Sequence, residues 1–132
     1  MIGNTALFAV ADCTGHGVPG AMLSMLGISL FNDIIKRKEV ETPADVLYEL
    51  KYQVSSNLQE NTKSDMDIAL CTISKTDTKL TYAGAYINMY LIRDNEVKVF
   101  KATRSSIGNF YKDIPFENIE FELQKGDKIY MF

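Results

Sequence analysis

Residues 6–12 are apolar until the acid Asp12, and Thr14-Gly15-His16-Gly17 follows. This pattern predicts a strand running into a glycine-rich turn. Pro19 suits the first turn of a helix, where its missing N–H has no partner to lose, and residues 21–35 are apolar on nearly every face. A buried helix is expected there. Thr42-Pro43-Ala44-Asp45 then sets a hydroxyl cap, a proline and an acid at successive positions, and Leu47, Leu50, Val54 and Leu58 recur on one face of a second, amphipathic helix.

From Met66 onward the helical period disappears. Residues 68–73, 80–83, 89–92, 96–100, 119–123 and 129–132 read as strands, with turns at Thr76-Asp77, Asp94-Asn95 and Lys125-Gly126-Asp127. One strand, two helices and then a run of antiparallel strands is an α+β order, distinct from alternating parallel units. The last strand stops on Tyr130-Met131-Phe132 without a polar terminator, as expected of a chain cut from a longer domain.

Composition adds limits to this outline. A chain of 132 residues, 46% hydrophobic and 23% charged, has the makings of a single domain over residues 1–132. Its 14 basic and 17 acidic residues leave a net charge of −3, and the basic residues are scattered, so neither nucleic acid nor an anionic membrane is expected as a partner. The early apolar run, residues 6–11, has no basic flank and is far shorter than a membrane span, which predicts a cytoplasmic protein. Cys13 and Cys71 sit in apolar, strand-like surroundings with no metal-binding spacing, and reduced core thiols are expected.

The most informative segment is Ala11-Asp12-Cys13-Thr14-Gly15-His16-Gly17-Val18-Pro19-Gly20-Ala21. A carboxylate at the end of a buried strand is held rigidly at the mouth of a sheet, and hard divalent cations such as Mg²⁺ or Mn²⁺ take such oxygens together with the carbonyls of a glycine-rich turn. The alternative is an aspartate that caps a turn or helix.

The stretches FAVADCTGHGVPGAMLSMLG, DMDIALCTIS, LTYAGAYINMYLIRDNEV, SSIG and LQKGDKIYMF occur in this order along the chain. Together they resemble the PPM-type metal-dependent serine/threonine phosphatases of the SpoIIE/RsbU-like group, over nearly the whole length. The resemblance implies part of a β-sandwich flanked by helices, with two Mn²⁺ or Mg²⁺ ions between the sheets in the complete domain. It implies that Asp12 bridges the metals and that the backbone carbonyl of Cys13 is a further ligand. A bridged hydroxide would then attack a phosphoserine or phosphothreonine of a protein substrate in line. A sensor or regulatory domain in the parent chain is implied as well. The group's other metal-binding aspartates, upstream of Asp12's strand and just after the strand ending at Phe132, have no counterpart here. One carboxylate and a carbonyl are expected to bind metal weakly, so the 132-residue chain itself is expected to be inactive.

Further candidates surround this segment. His16, the sole histidine, is either a proton donor or phosphate-orienting group, or a residue that packs or hydrogen-bonds within the turn. Asp65 and Asp67 alternate onto one face, and a solvated strand entrance is expected rather than a ligand pair. Ala83-Gly84-Ala85 reads as a turn, followed by Tyr86 and Asn88 where the group usually has a small or polar residue and proline. Arg104 precedes Ser105-Ser106-Ile107-Gly108, with Ser106 in place of a proline, and carries the planar fork that would bind a substrate phosphate. These departures also allow a non-catalytic phosphatase-like module that binds a partner protein. Exposed sheet edges are expected to favour self-association.

Overall fold

The computed structural model describes residues 5–57, 65–108 and 114–132. Its elements are β1 (Thr5–Cys13), α1 (Gly17–Ile34), α2 (Pro43–Asn57), β2 (Met66–Ser74), β3 (Lys79–Ala85), β4 (Met89–Arg93), β5 (Glu96–Phe100), β6 (Ile119–Glu122) and β7 (Lys128–Met131). A four-stranded sheet has the order β1-β2-β3-β6 and a three-stranded sheet the order β5-β4-β7, and all these pairings are antiparallel. The α+β architecture is the one the sequence predicts.

Two apolar layers follow from strand alternation. Ile68 and Leu70 of β2 and Ala83 and Ala85 of β3 pack with Leu47, Leu50 and Val54 of α2 and Leu23 of α1. The alternate residues Ala69, Cys71, Leu80 and Tyr82 turn to the other side and pack with Met89, Leu91 and Phe100 of the smaller sheet. Strand β2 is thus covered on both faces, the reason its sequence is a continuous apolar run. Cys71 belongs to the inter-sheet layer, where burial pushes its thiol up to about 12. Both cysteines are free, with Cys13 half-buried beside the helical layer.

The start of α2 has the expected cap. Thr42 Oγ1 accepts from the Asp45 N–H at 3.3 Å, while Asp45 Oδ2 accepts from the Thr42 N–H at 2.9 Å and from its hydroxyl at 2.7 Å. Leu58 lies outside the described residues.

Helix α1 departs from expectation. It begins at Gly17, and a single narrow stripe is buried, comprising Gly20, Leu23, Gly27 and Ile34. Val18, Met22, Met25 and Ile28 are 72, 66, 73 and 64% exposed. The helix has α2 on one flank and the edge of a sheet beneath it, so an all-round apolar surface cannot all be covered by two neighbours. By length and composition α1 is also apolar enough to cross a membrane. Its buried stripe is nevertheless fitted to this fold, since a Cβ on Gly27 would stand 3.0 Å from Met66 Sδ.

The Ala83-Gly84-Ala85 segment is strand and not turn. Its chain reversal comes at Tyr86, which takes a positive φ of 61°. Gly84 is required because a side chain there would collide with the Tyr82 hydroxyl and meet the Ile87 carbonyl at 2.6 Å, the pair joined by a 2.7 Å hydrogen bond.

Candidate active site

Asp12 is the penultimate residue of β1, an edge strand. Ala9, Ala11, Asp12 and Cys13 line a groove of about 450 Å³ beneath Ser24, Gly27, Ile28 and Phe31 of α1. Alternation sends the side chains of Phe8, Val10 and Asp12 to the face opposite those of Ala9, Ala11 and Cys13, the side of the inter-sheet layer, on which Asp67, the partner of Asp12 in register, also lies. The smaller sheet does not extend over β1, and Phe8 and Asp12 are exposed. The carboxylate stands at an open mouth between the layers and makes no hydrogen bond or ion pair among the described residues.

Register brings a second acid to the same place. Asp12 pairs directly with Asp67, and Cys13 with Met66. Asp67 is half-buried, and burial, then Asp65, then Asp12 raise its carboxyl above the usual range. The solvated strand entrance expected from the sequence is in fact a half-buried acid facing Asp12 across one strand spacing. No local sequence signal marks this; it depends on which residues the two strands pair.

Beyond Cys13 the ladder continues for one step. The Thr14 N–H donates to the Asp65 carbonyl at 2.8 Å. In a trans peptide the preceding C=O points opposite to that N–H, so the Cys13 carbonyl is turned away from β2, off the free edge of β1. The chain then reverses through Gly15 (φ 100°) and Gly17 (φ 64°) into α1. A Cβ at Gly20 would lie 2.9 Å from the Gly15 carbonyl oxygen, so the helix start and the turn can approach only with glycine there.

His16 is the N-cap residue of α1, extended at φ −136°, exposed, and without a side-chain capping bond. Arg104 is exposed and lines a shallow cleft with Lys101, Gly84 and Glu117. Thr103 bridges Ala85, and Ile107 bridges Met66, which places the Arg104 loop at the same end of the sheet as Asp12. The neighbouring residues are structural: Asn88 Oδ1 accepts from the Ala102 N–H at 2.8 Å, Ser106 is buried, and Ser105 accepts from Lys51 Nζ at 2.8 Å.

Asp12, Asp67 and the Cys13 carbonyl are hard oxygen donors of the type Mg²⁺ and Mn²⁺ prefer. Among the described residues no group of three or more His, Cys, Asp or Glu side chains could hold a metal. The donors fit one cation at most and do not make up a two-ion site.

The family profile of stage II sporulation protein E (SpoIIE) matches residues 3–132. This chain belongs to the SpoIIE family. No curated protein matched. Among solved structures, the SiaA-PP2C domain of Pseudomonas aeruginosa is similar at 32% identity and a TM-score of 0.84, covering 97% of this chain and 50% of that one. The PP2C phosphatase domain of Bacillus subtilis SpoIIE, with a fragment of its regulatory domain, matches at 18% identity and a TM-score of 0.72, covering 93% and 35%. The RsbU and RsbW domains of a Mycobacterium tuberculosis protein match at 19% and 0.75, covering 96% and 35%. The last two show the shared fold. This SpoIIE-family chain spans half the length of the SiaA-PP2C structure and about a third of the other two.

Proposed function

We propose that this chain carries the Asp12 portion of a cytoplasmic, Mn²⁺- or Mg²⁺-dependent phosphatase that removes phosphate from phosphoserine or phosphothreonine of a signalling protein, with a regulatory domain elsewhere in its parent. The observation that carries this reading is the placement of Asp12: a carboxylate at the open end of the sandwich with no partner among the described residues, opposite Asp67 and followed by an outward-turned Cys13 carbonyl. Asp12 and the Cys13 carbonyl would hold the cation, with Asp67 across from them. A bound cation supplies charge stabilisation and a water acidic enough to act as a nucleophile at neutral pH. Arg104, at the same end of the sheet, offers a planar fork for a phosphate, and His16 can exchange a proton with a leaving serine oxygen.

The test is phosphate release from a phosphopeptide in the presence of Mn²⁺, by the 132-residue chain and by a longer polypeptide that contains it. Release by the longer polypeptide, lost on Asp12→Asn, supports the reading; no release from either rejects it. The absence of a three-ligand cluster among the described residues favours a second reading, a phosphatase-like module that binds a partner without turnover. A longer polypeptide that neither binds Mn²⁺ nor releases phosphate, yet binds a signalling protein, would support it.

A further inference from the structure

We infer that the Thr14 hydroxyl is a positioning group that locks the Asp12–Cys13 turn onto β2 and thereby sets the aim of the Cys13 carbonyl. This inference rests on the metal-binding reading of Asp12 and Cys13.

In an antiparallel ladder, a hydrogen-bonded pair of residues exchanges two N–H···O=C bonds. The pair Thr14 and Asp65 makes one of these in the ordinary way, Thr14 N–H to the Asp65 carbonyl at 2.8 Å. The return bond is different: the Asp65 N–H donates to Thr14 Oγ1, at 2.7 Å. The same hydroxyl donates back to the Asp65 carbonyl at 2.9 Å. A side-chain oxygen thus stands where the Thr14 carbonyl would stand in a continuing strand. The main chain is released to turn at Gly15, yet residue 14 stays fixed to β2 by three hydrogen bonds. The peptide plane between Cys13 and Thr14 cannot rock without breaking them, and that plane carries the Cys13 carbonyl.

The anchor itself is rigid. Met66, next to Asp65, exchanges two backbone hydrogen bonds with Ile107, both 2.8 Å. The start of β2 is therefore held from both sides, by Ile107 and by the Thr14 clasp. The clasp is at the surface, where Thr14 is exposed, so water can replace the hydroxyl if it is removed. Its loss would loosen the turn rather than unfold the domain, and the cost would fall on the orientation of the metal-facing oxygens.

The experiment is a titration with Mn²⁺ of the 132-residue chain and of a longer polypeptide that contains it, at fixed ionic strength and well below the melting temperature. Free Mn²⁺ is read by electron paramagnetic resonance, and broadening of the amide signals of residues 12–14 is read by NMR. Thr14→Val keeps the shape and removes the hydroxyl, and it is expected to weaken binding by about tenfold, as loss of the groups behind a metal ligand commonly does. Thr14→Ser keeps the hydroxyl and is expected to bind like the unmutated chain. Equal affinity in Thr14→Val overturns the inference, as does a Thr14→Ser chain that loses as much as the valine variant, or a valine variant that no longer folds. Asp12→Asn separates the two readings. If Asp12→Asn binds as well as the unmutated protein, or neither the 132-residue chain nor the longer polypeptide binds Mn²⁺, the metal reading fails and the inference with it. If Asp12→Asn loses binding while Thr14→Val does not, the inference alone fails.

Discussion

The two ends of the sandwich treat their carboxylates in opposite ways. At the end where β6 meets the β2–β3 hairpin, Asp127 is fully engaged: Arg93 Nε and Nη2 donate to its two oxygens at 2.9 and 2.7 Å, and the Gln124 N–H donates at 2.9 Å. Arg93 Nη2 also donates to the Glu122 carbonyl, tying the smaller sheet to the larger one. The hydrogen bonds from Arg93 and Gln124 hold the Asp127 carboxyl down at about 2. At the other end, Asp12 has no such partner among the described residues and Asp67 is pushed up by burial and neighbouring acids. A carboxylate with its lone pairs occupied by fixed donors maintains the fold; one left open, beside another acid, costs stability and is available for chemistry.

The sharpest test of this contrast is Asp12→Asn. It is expected to lower Mn²⁺ affinity by at least about tenfold and to remove most phosphate release by a longer polypeptide, with an unchanged circular dichroism spectrum. Unfolding would instead place Asp12 with Asp127 among the structural acids. Asp127→Asn is expected to do the reverse: a melting temperature lower by several degrees, with Mn²⁺ binding unaffected.

Acid titration of the metal-free chain separates the two ends by sign. Asp127, lowered in the folded state, contributes stability that is present above the unfolded value of 3.8 and is lost as pH falls toward about 2. Asp67 is raised above 3.8 in the fold, so its ionisation weakens the fold as pH climbs through its folded value, and mild acid relieves this. Urea midpoints should rise slightly as pH is lowered from neutral and then fall steeply in strong acid. The smallest effect is expected of Asp67→Asn, a modest gain in melting temperature without metal and the loss of the rise in mild acid. A fall in melting temperature would show that Asp67 is stabilising and would erase the contrast.

Most secondary structure was legible in the chain because each element leaves a local trace. Thr42 and Asp45 mark the start of α2, the run at 68–73 marks a strand covered on both faces, and Lys125-Gly126-Asp127 marks a turn. The place of Asp12 at a strand end before two glycines was legible too, as was the family resemblance that the SpoIIE profile now matches. Other features left no local trace. An apolar helix reads as buried whether or not anything lies against it, and α1 is half uncovered because its neighbours reach one side of it. Ala83-Gly84-Ala85 reads as a turn, yet Gly84 serves a strand that must pass the Tyr82 hydroxyl.

By itself the sequence determined the order of helices and strands, the glycine turn after Asp12 and the family to which the chain belongs, since these depend on periodicity, capping and motif spacing within short windows. Tertiary structure alone decided that Asp67 faces Asp12, that the Thr14 hydroxyl replaces a ladder carbonyl against Asp65, and that Arg93 closes on Asp127 across the two sheets. Each of these joins residues more than thirty positions apart, and a one-residue slip in strand register would turn every one of those side chains to the opposite face.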